Sequence, residues 1–387
     1  MNRELTKKAL KSFALPARLQ GIEKSVIRQV FDRARSGSIN LGLGEPDLLT
    51  PEVIRKAAVR AITEEQNGYT SHAGLPELRK RVAGDYPYLD GNPEQVVITA
   101  GSQEALYLAL LTLVDDGDEV LLPNPGFVAY PTIVRMAGGE AKFYRMPRDR
   151  DFGFDAAEFR RALTPRTKVV VCISPSNPTG RTLSRDDLAG IGDALRDHDA
   201  YLISDEIYRD LYYTTERPGS LSSFFDRTIV IGGLSKSMSM TGWRLGWLAG
   251  DEAVVKAALI LHGYVTTCAS TVSQKASLVA WSDEAEAARA EFRETFRSRR
   301  DHLSKLIGDE LRLRAITPDG AFYTMLDVSD FGPSMKVAEA LLEAGVITVP
   351  GSAFGSESEG FLRVSFCANH DTLAEGVQRI KRGLELR

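Results

Sequence analysis

The apolar residues of this chain fall into two patterns, short unbroken runs and stripes at helical spacing, and the two alternate along most of its length. Unbroken runs occur at Gln95–Thr99, from Val120, at Val169–Ser174, at Ala200–Tyr208 and at Thr228–Gly232. Runs this short and rich in Val and Ile predict strands buried on both faces, as in a parallel sheet. Ile22, Val26, Ile27, Val30 and Phe31 predict an amphipathic helix over Gly21–Arg35, leading into a strand-like piece, Ile39–Asp47, interrupted by Gly42 and Gly44. Thr50-Pro51-Glu52 starts a helix that runs to about Glu65, since proline fits the first turn and an acid suits the dipole there. Helices are also predicted over Ala105–Leu113, from Ser184 to about Asp197, and over the charged stretch Asp283–Leu306. The tail alternates strands at Leu311–Ile316, Pro318–Leu326, Val346–Pro350 and Phe361–Phe366 with a helix near Met335–Ala344. Alternating strands and helices predict an α/β protein, and 387 residues suggest two lobes rather than one.

Polar residues gather where the buried runs end. Thr228–Gly232 leads into Gly233-Leu-Ser-Lys-Ser-Met-Ser-Met-Thr-Gly-Trp-Arg-Leu-Gly246, which sets Lys236 just beyond a strand's carboxyl end. Open α/β sheets keep their chemistry there. Small neighbours leave room for a flat ligand, and Arg244 offers a fork suited to phosphate. Ala100-Gly-Ser-Gln-Glu104 follows another run, and a strand, tight turn and helix in that order aim free backbone N–H groups at an anion. Phe127, Asn177, Asp205 and Tyr208 follow or close further runs, and Arg363 lies within the last strand. Taken singly, each has a plain structural reading: a solvated cation, a helix cap, an Asn shaping its own turn, an acid at an exposed strand end, a packed aromatic.

Taken together, they resemble the pyridoxal-phosphate-dependent class I/II aminotransferases, of the aspartate aminotransferase-like fold type I. The lysine stretch fits the cofactor-attachment pattern, and four other segments match in family order. These are Leu-Gly-x-Gly-Glu-Pro-Asp at 41–47, Tyr-x-x-x-x-Gly-x-x-x-Leu-Arg from Tyr69, Asn-Pro-Thr-Gly from Asn177 and Asp-Glu-x-Tyr from Asp205. The resemblance implies a large domain over residues 48–284, with a mostly parallel seven-stranded sheet between helices. It also implies a smaller α/β domain built from both chain ends (21–47 and 285–387) and an N-terminal arm over 1–20 that packs on a neighbouring subunit. Lys236 would carry pyridoxal 5'-phosphate on its amine. Ser102, Gln103, Ser235 and Arg244 would hold the cofactor with the partner subunit's Tyr69 on its phosphate. Phe127 would stack on the pyridine ring, Asp205 would keep the ring nitrogen protonated, and Asn177 and Tyr208 would meet the phenolic oxygen. Arg363, Asn177 and the Gly44 backbone would place the substrate carboxylate. The implied activity moves the amino group of an L-amino acid to a 2-oxo acid such as 2-oxoglutarate through pyridoxamine phosphate, in a homodimer with shared active sites.

The chain departs from the pattern at Gln103, where the aspartate-using bacterial branch commonly has a lysine. An amide lacks the charge that favours a dicarboxylate, so aspartate and neutral or aromatic amino acids are both candidate substrates. A lyase cleaving carbon–sulfur bonds on the same scaffold is the alternative, distinguished by its products.

Composition narrows the partners. At 43% hydrophobic and 26% charged the chain is ordinary globular protein, and a net charge of −4 offers no footprint for nucleic acid. No apolar run is long enough for a bilayer and Met1–Lys8 lacks a signal-peptide core, so a cytoplasmic enzyme without membrane partners is expected. Cys172, Cys268 and Cys367 are odd in number and far apart, which favours free thiols, and the five histidines show no ligand spacing for a metal.

Overall fold

The structure, a computed structural model, describes residues 20–386. All of the expected arm except Gln20 therefore lies outside the described residues. Among these, the chain forms strands β1 (Ile39–Asn40), β2 (Val96–Thr99), β3 (Glu119–Asn124), β4 (Glu140–Arg145), β5 (Thr167–Ile173) and β6 (Tyr201–Asp205). It continues with β7 (Thr228–Gly233), β8 (Gly246–Ala249), β9 (Tyr323–Asp327), β10 (Val346–Ile347), β11 (Val349–Pro350) and β12 (Phe361–Ser365).

Seven strands make one sheet in the order β2-β8-β7-β6-β5-β3-β4. All neighbours run parallel except β8, which is antiparallel to both β2 and β7. The central strands β6 and β7 are buried almost throughout, as their unbroken apolar runs require. Helix Ser102–Leu113 covers one face with Leu106, Leu110 and Leu113 beside Val97, Ile229 and Leu248. The other face packs Val170, Cys172 and Leu202 against Leu188 and Leu195 of helix Arg185–Leu195. A capping box starts that helix, with Ser184 Oγ accepting from Asp187 N–H and the Asp187 carboxylate accepting from Ser184 N–H.

Two smaller sheets pair β1 and the last strands of the described residues. β1 pairs in parallel with β10, Ile39 opposite Val346, while β11, β12 and β9 form an antiparallel sheet with β12 in the middle. The long helix Asp283–Leu306 forms where the charged stretch predicted it, capped by Ser282 and with Asp283, Glu284 and Glu286 in its first turn. Its Arg299 holds Asp47 bidentately at 2.6 and 3.1 Å, tying this helix to the segment that follows β1.

Several expectations change. Leu311–Ile316 is no strand: a π turn over Ile307–Leu311 extends the preceding helix, Arg312 takes a left-handed φ of +55°, and Ala315 makes a lone bridge to Leu326. The first helix is confined to Val26–Asp32 because Ser25 caps it. The helix expected from Ala105 begins three residues earlier, at Ser102, which puts Ser102 and Gln103 in its first turn. The Arg363 side chain is 2% exposed, because β12 is buried on both faces.

Candidate active site

Strand register assembles one end of the site. Gly246 of β8 stands opposite Thr99 of β2 on one side and Gly233 of β7 on the other. Gly101 and Ser102 leave β2, Ser235 and Lys236 leave β7, and Arg244 enters β8, all at this one point. The approach is so close that glycine is required twice. A Cβ on Gly246 would overlap the Ser102 backbone, and one on Gly101, at φ +96°, would overlap the Arg244 guanidinium. No side chain caps helix Ser102–Leu113, so its first-turn N–H groups are open to an anion. Arg244 is held over them by the carbonyls of Thr241 (3.0 Å) and Ala100 (3.2 Å). Beneath the turn, Glu104 accepts hydrogen bonds from Ala100 N–H, His262 and Thr266. Burial pushes its carboxyl up, but those bonds hold it below the usual range.

Every site residue named from the sequence except Tyr69 lines a single cavity of about 290 Å³. Tyr69 lies outside it, on the loop before helix Pro76–Gly84, with 88% of its surface exposed. Lys236 Nζ donates to the Gly44 carbonyl at 2.8 Å. Burial lowers its pKa, and the positive Arg363 and Arg244 add to the effect against Cys367 and Glu45, so this lysine gives up its proton more readily than one in water.

Two buried charges face this lysine without an ionic partner among the described residues. Asp205 accepts from the Tyr130 hydroxyl at 2.8 Å and from Ile207 N–H at 3.2 Å, yet burial raises its pKa to about 6. A cation placed on it would be strongly held, which suits a protonated pyridine nitrogen. The adjacent Glu206 points away to Ser204 and Ser220, so only the first acid of Asp-Glu-x-Tyr serves the cavity. Arg363 is the second such charge. Its guanidinium donates to Asn177 Oδ1 at 2.7 Å and to the Gly42 carbonyl at 2.6 Å, and its Nε is buried with no partner. It lies between the rings of Tyr323 (4.3 Å) and Phe354 (4.9 Å), a slot that fixes its plane for a carboxylate. These donors and charges fit pyridoxal phosphate with an amino acid: an anion cradle, an unpaired acid, an unpaired guanidinium and a lysine between them.

Tyr130 and Tyr323 were not singled out from the sequence. Tyr130 follows Phe127 by one turn and meets it edge to face at 5.5 Å, so one turn supplies both a ring at the cavity and a hydroxyl for Asp205. That three-residue spacing was the available signal. Tyr323 is at the start of β9, diagonal to Arg363 across the β9–β12 pair, and only the register reveals this.

Asp205 also gives the cofactor-free protein a pH signature. An acid raised from 3.8 to about 6 keeps its proton longer when folded, so its contribution is full below pH 3.8 and lost as pH rises through 6. At about 1.4 kcal/mol per pH unit the loss is about 3 kcal/mol. Urea unfolding of the cofactor-free protein at pH 4 and 7 is expected to show Asp205→Asn gaining on the wild type by about that amount. An unchanged difference between the two proteins would contradict a buried, unpaired Asp205.

The chain matches the family described as "Aminotransferase class I and II" over residues 36–380. It is 36% identical over 96% of its length to the whole of a "Probable aspartate aminotransferase" of Methanocaldococcus jannaschii. It is also 36% identical over 96% of its length to "Aromatic-amino-acid aminotransferase 2" of Thermococcus litoralis, covering 98% of that protein. The solved aspartate aminotransferase of Thermus thermophilus with maleate superposes at a TM-score of 0.90 with 35% identity, covering 96% of this chain and all of that one. No helix among the described residues is long and apolar enough to cross a membrane. With this fold and the lysine cavity at its strand ends, the chain belongs to the class I and II aminotransferases and is a pyridoxal-phosphate-dependent transaminase, moving the amino group of an amino acid to a 2-oxo acid.

Proposed function

We propose that this transaminase takes a neutral L-amino acid, aromatic or aliphatic, as its donor in preference to aspartate, with 2-oxoglutarate as acceptor. The observation that carries this is the distribution of charge in the cavity. Its lining cations are Lys236, Arg244 and Arg363, and each has a task of its own. Among the described residues lining the cavity, none is left for a second carboxylate. Where a distal carboxylate would need a cation, the lining offers Gln103 together with Ile27, Leu43 and Thr241. The Gln103 amide makes no hydrogen bond to another described residue, so it is free to donate to the far carboxylate of 2-oxoglutarate or to turn aside for an apolar side chain.

In this reading Ser102, Gln103 N–H, Ser235 and Arg244 hold the phosphate, Phe127 stacks on the ring, Asp205 binds the ring nitrogen, and Asn177 and Tyr208 bind the phenolic oxygen. Pyridoxal phosphate, when bound, supplies the electron sink that lets a Cα–H bond of the substrate break. Arg363, Asn177 and the Gly44 backbone orient that bond. Lys236 Nζ, whose proton burial makes easier to lose, takes the proton from Cα. The site lies between the large domain (48–284) and the small one (21–47 and 285–387), and the proposal includes that division. It also includes a homodimer in which the partner subunit's Tyr69 reaches the phosphate. Exposed apolar residues support the dimer: Val59 and Ile62, and Ile260, Tyr264 and Val265 on the helix whose Gly263 lies against His72 beside the Tyr69 loop.

The test compares kcat/KM for L-phenylalanine, L-leucine and L-aspartate with 2-oxoglutarate as acceptor. The neutral donors are expected to exceed aspartate. Gln103→Lys is expected to raise kcat/KM for aspartate at least about tenfold, the scale of one charge-assisted hydrogen bond. Preference for aspartate in the unaltered enzyme would refute the proposal.

A further inference from the structure

We propose that Tyr323 is a positioning residue for amino-group transfer, coupling the arginine that receives the substrate carboxylate to the tyrosine that meets the cofactor's phenolic oxygen. This rests on the roles proposed for Arg363 and Tyr208. Three contacts of one side chain, 1% exposed, carry it. Its hydroxyl is 2.9 Å from that of Tyr208, the only side-chain hydrogen bond it makes among the described residues. Its ring lies 4.3 Å from the Arg363 guanidinium, opposite Phe354. Its hydroxyl end rests against Gly44, where any Cβ would overlap it. Tyr323 thus touches the clamp, the phenolic-oxygen partner and the glycine whose carbonyl holds Lys236.

The register makes this arrangement fixed rather than incidental. Ser365 pairs with Tyr323 and Arg363 with Met325, so Tyr323 and Arg363 are diagonal neighbours across β9 and β12, within reach for an aromatic and a long side chain. Phe354 closes the slot from the loop after β11, which is strapped to the end of β3 by Gly126 N–H donating to Phe354 O at 2.9 Å.

The paired hydroxyls also have a defined order of protons. Each phenol has one proton to donate, and a hydrogen bond between two hydroxyls uses one of them. When Tyr208 donates to the phenolic oxygen, its own oxygen becomes the acceptor. Tyr323 then supplies the other proton, giving a chain from Tyr323 to Tyr208 to the cofactor. Burial raises both phenols, Tyr323 to about 12, so both keep their protons over the working range. A donor that itself accepts a hydrogen bond donates more strongly. Tyr323 therefore strengthens the grip of Tyr208 on the anionic phenolic oxygen while its ring holds Arg363 flat.

Two substitutions separate the ring from the hydroxyl. Y323F keeps the ring, and Y323L removes both. The first readout is the pH at which the visible absorption band of the holoenzyme changes, with no substrate present. Losing a donor to the phenolic oxygen disfavours its anionic form and moves that midpoint up. Y208F is expected to move it most, Y323F by about half a pH unit, and the double variant no further than Y208F alone. The second readout is KM for the amino acid, which Y323F should leave within about twofold and Y323L should raise about five- to tenfold, with kcat affected less. If Y208F moves the midpoint and Y323F does not, the relay is refuted while the Tyr208 assignment stands. No shift in either variant refutes the Tyr208 assignment and the relay with it. Equal KM values for Y323F and Y323L refute the ring's role on Arg363.

Discussion

Lys236→Ala is expected to lower turnover by at least about 10⁴-fold, because it removes at once the general base and the covalent anchor proposed for this site. The folded protein and its cofactor binding should largely survive. The cradle of Ser102 and Arg244, the Asp205 carboxylate and the Phe127 ring come from other parts of the chain, and the adjacent Ser235 keeps its own side chain. What the variant loses is an amine positioned by the Gly44 carbonyl and made more acidic by burial and by Arg363 and Arg244. The cofactor should therefore co-purify with the variant and separate from it on denaturation without having been linked. Turnover within tenfold of the wild type would mean that another group moves the proton.

Arg363→Leu is expected to act in opposite directions on activity and stability. Truncating one partner of a buried charge pair costs about 2–5 kcal/mol in binding, so kcat/KM for any α-amino acid should fall about 10²- to 10⁴-fold. In the free protein, however, Arg363 is a buried cation with no carboxylate beside it among the described residues, and burial lowers its pKa. Replacing such a charge by an apolar side chain of similar volume is often neutral or stabilising. The thermal midpoint of the substrate-free variant should be unchanged or higher, even though Asn177 and the Gly42 carbonyl lose a donor. A large loss of stability with activity retained would make Arg363 a structural residue.

The central strands could be read from the sequence because a parallel sheet buried on both faces forces unbroken apolar runs, as in Val169–Ile173 and Thr228–Gly232. β4 was missed for the converse reason. It is an edge strand, mostly exposed, and Glu140-Ala-Lys-Phe-Tyr-Arg145 shows no such run. Short β8 was hidden behind the lysine turn, and with it the register that brings Arg244 to Ser102. Helix His370–Gly383 also went unnamed, although Leu373, Val377 and Ile380 form a buried stripe on it. Most of the site was legible because its residues sit within short motifs at strand ends. Tyr130 and Tyr323 were not, since their partners, Asp205 and Tyr208, are far away in sequence and meet them only once the strands are aligned. Tyr69, 88% exposed on the single chain, does not line its own cavity, and the role proposed for it requires a second copy.

The most direct measurement is a half-reaction. Purified holoenzyme is mixed with L-phenylalanine in excess and no oxo acid, while released 2-oxo acid and ammonia are counted against protein chains. Amino-group transfer at Lys236 predicts one equivalent of oxo acid per chain, no ammonia, loss of the visible cofactor band, and recovery of that band when 2-oxoglutarate is added. Oxo acid released beyond one equivalent, with ammonia accumulating and the band unchanged, would contradict it.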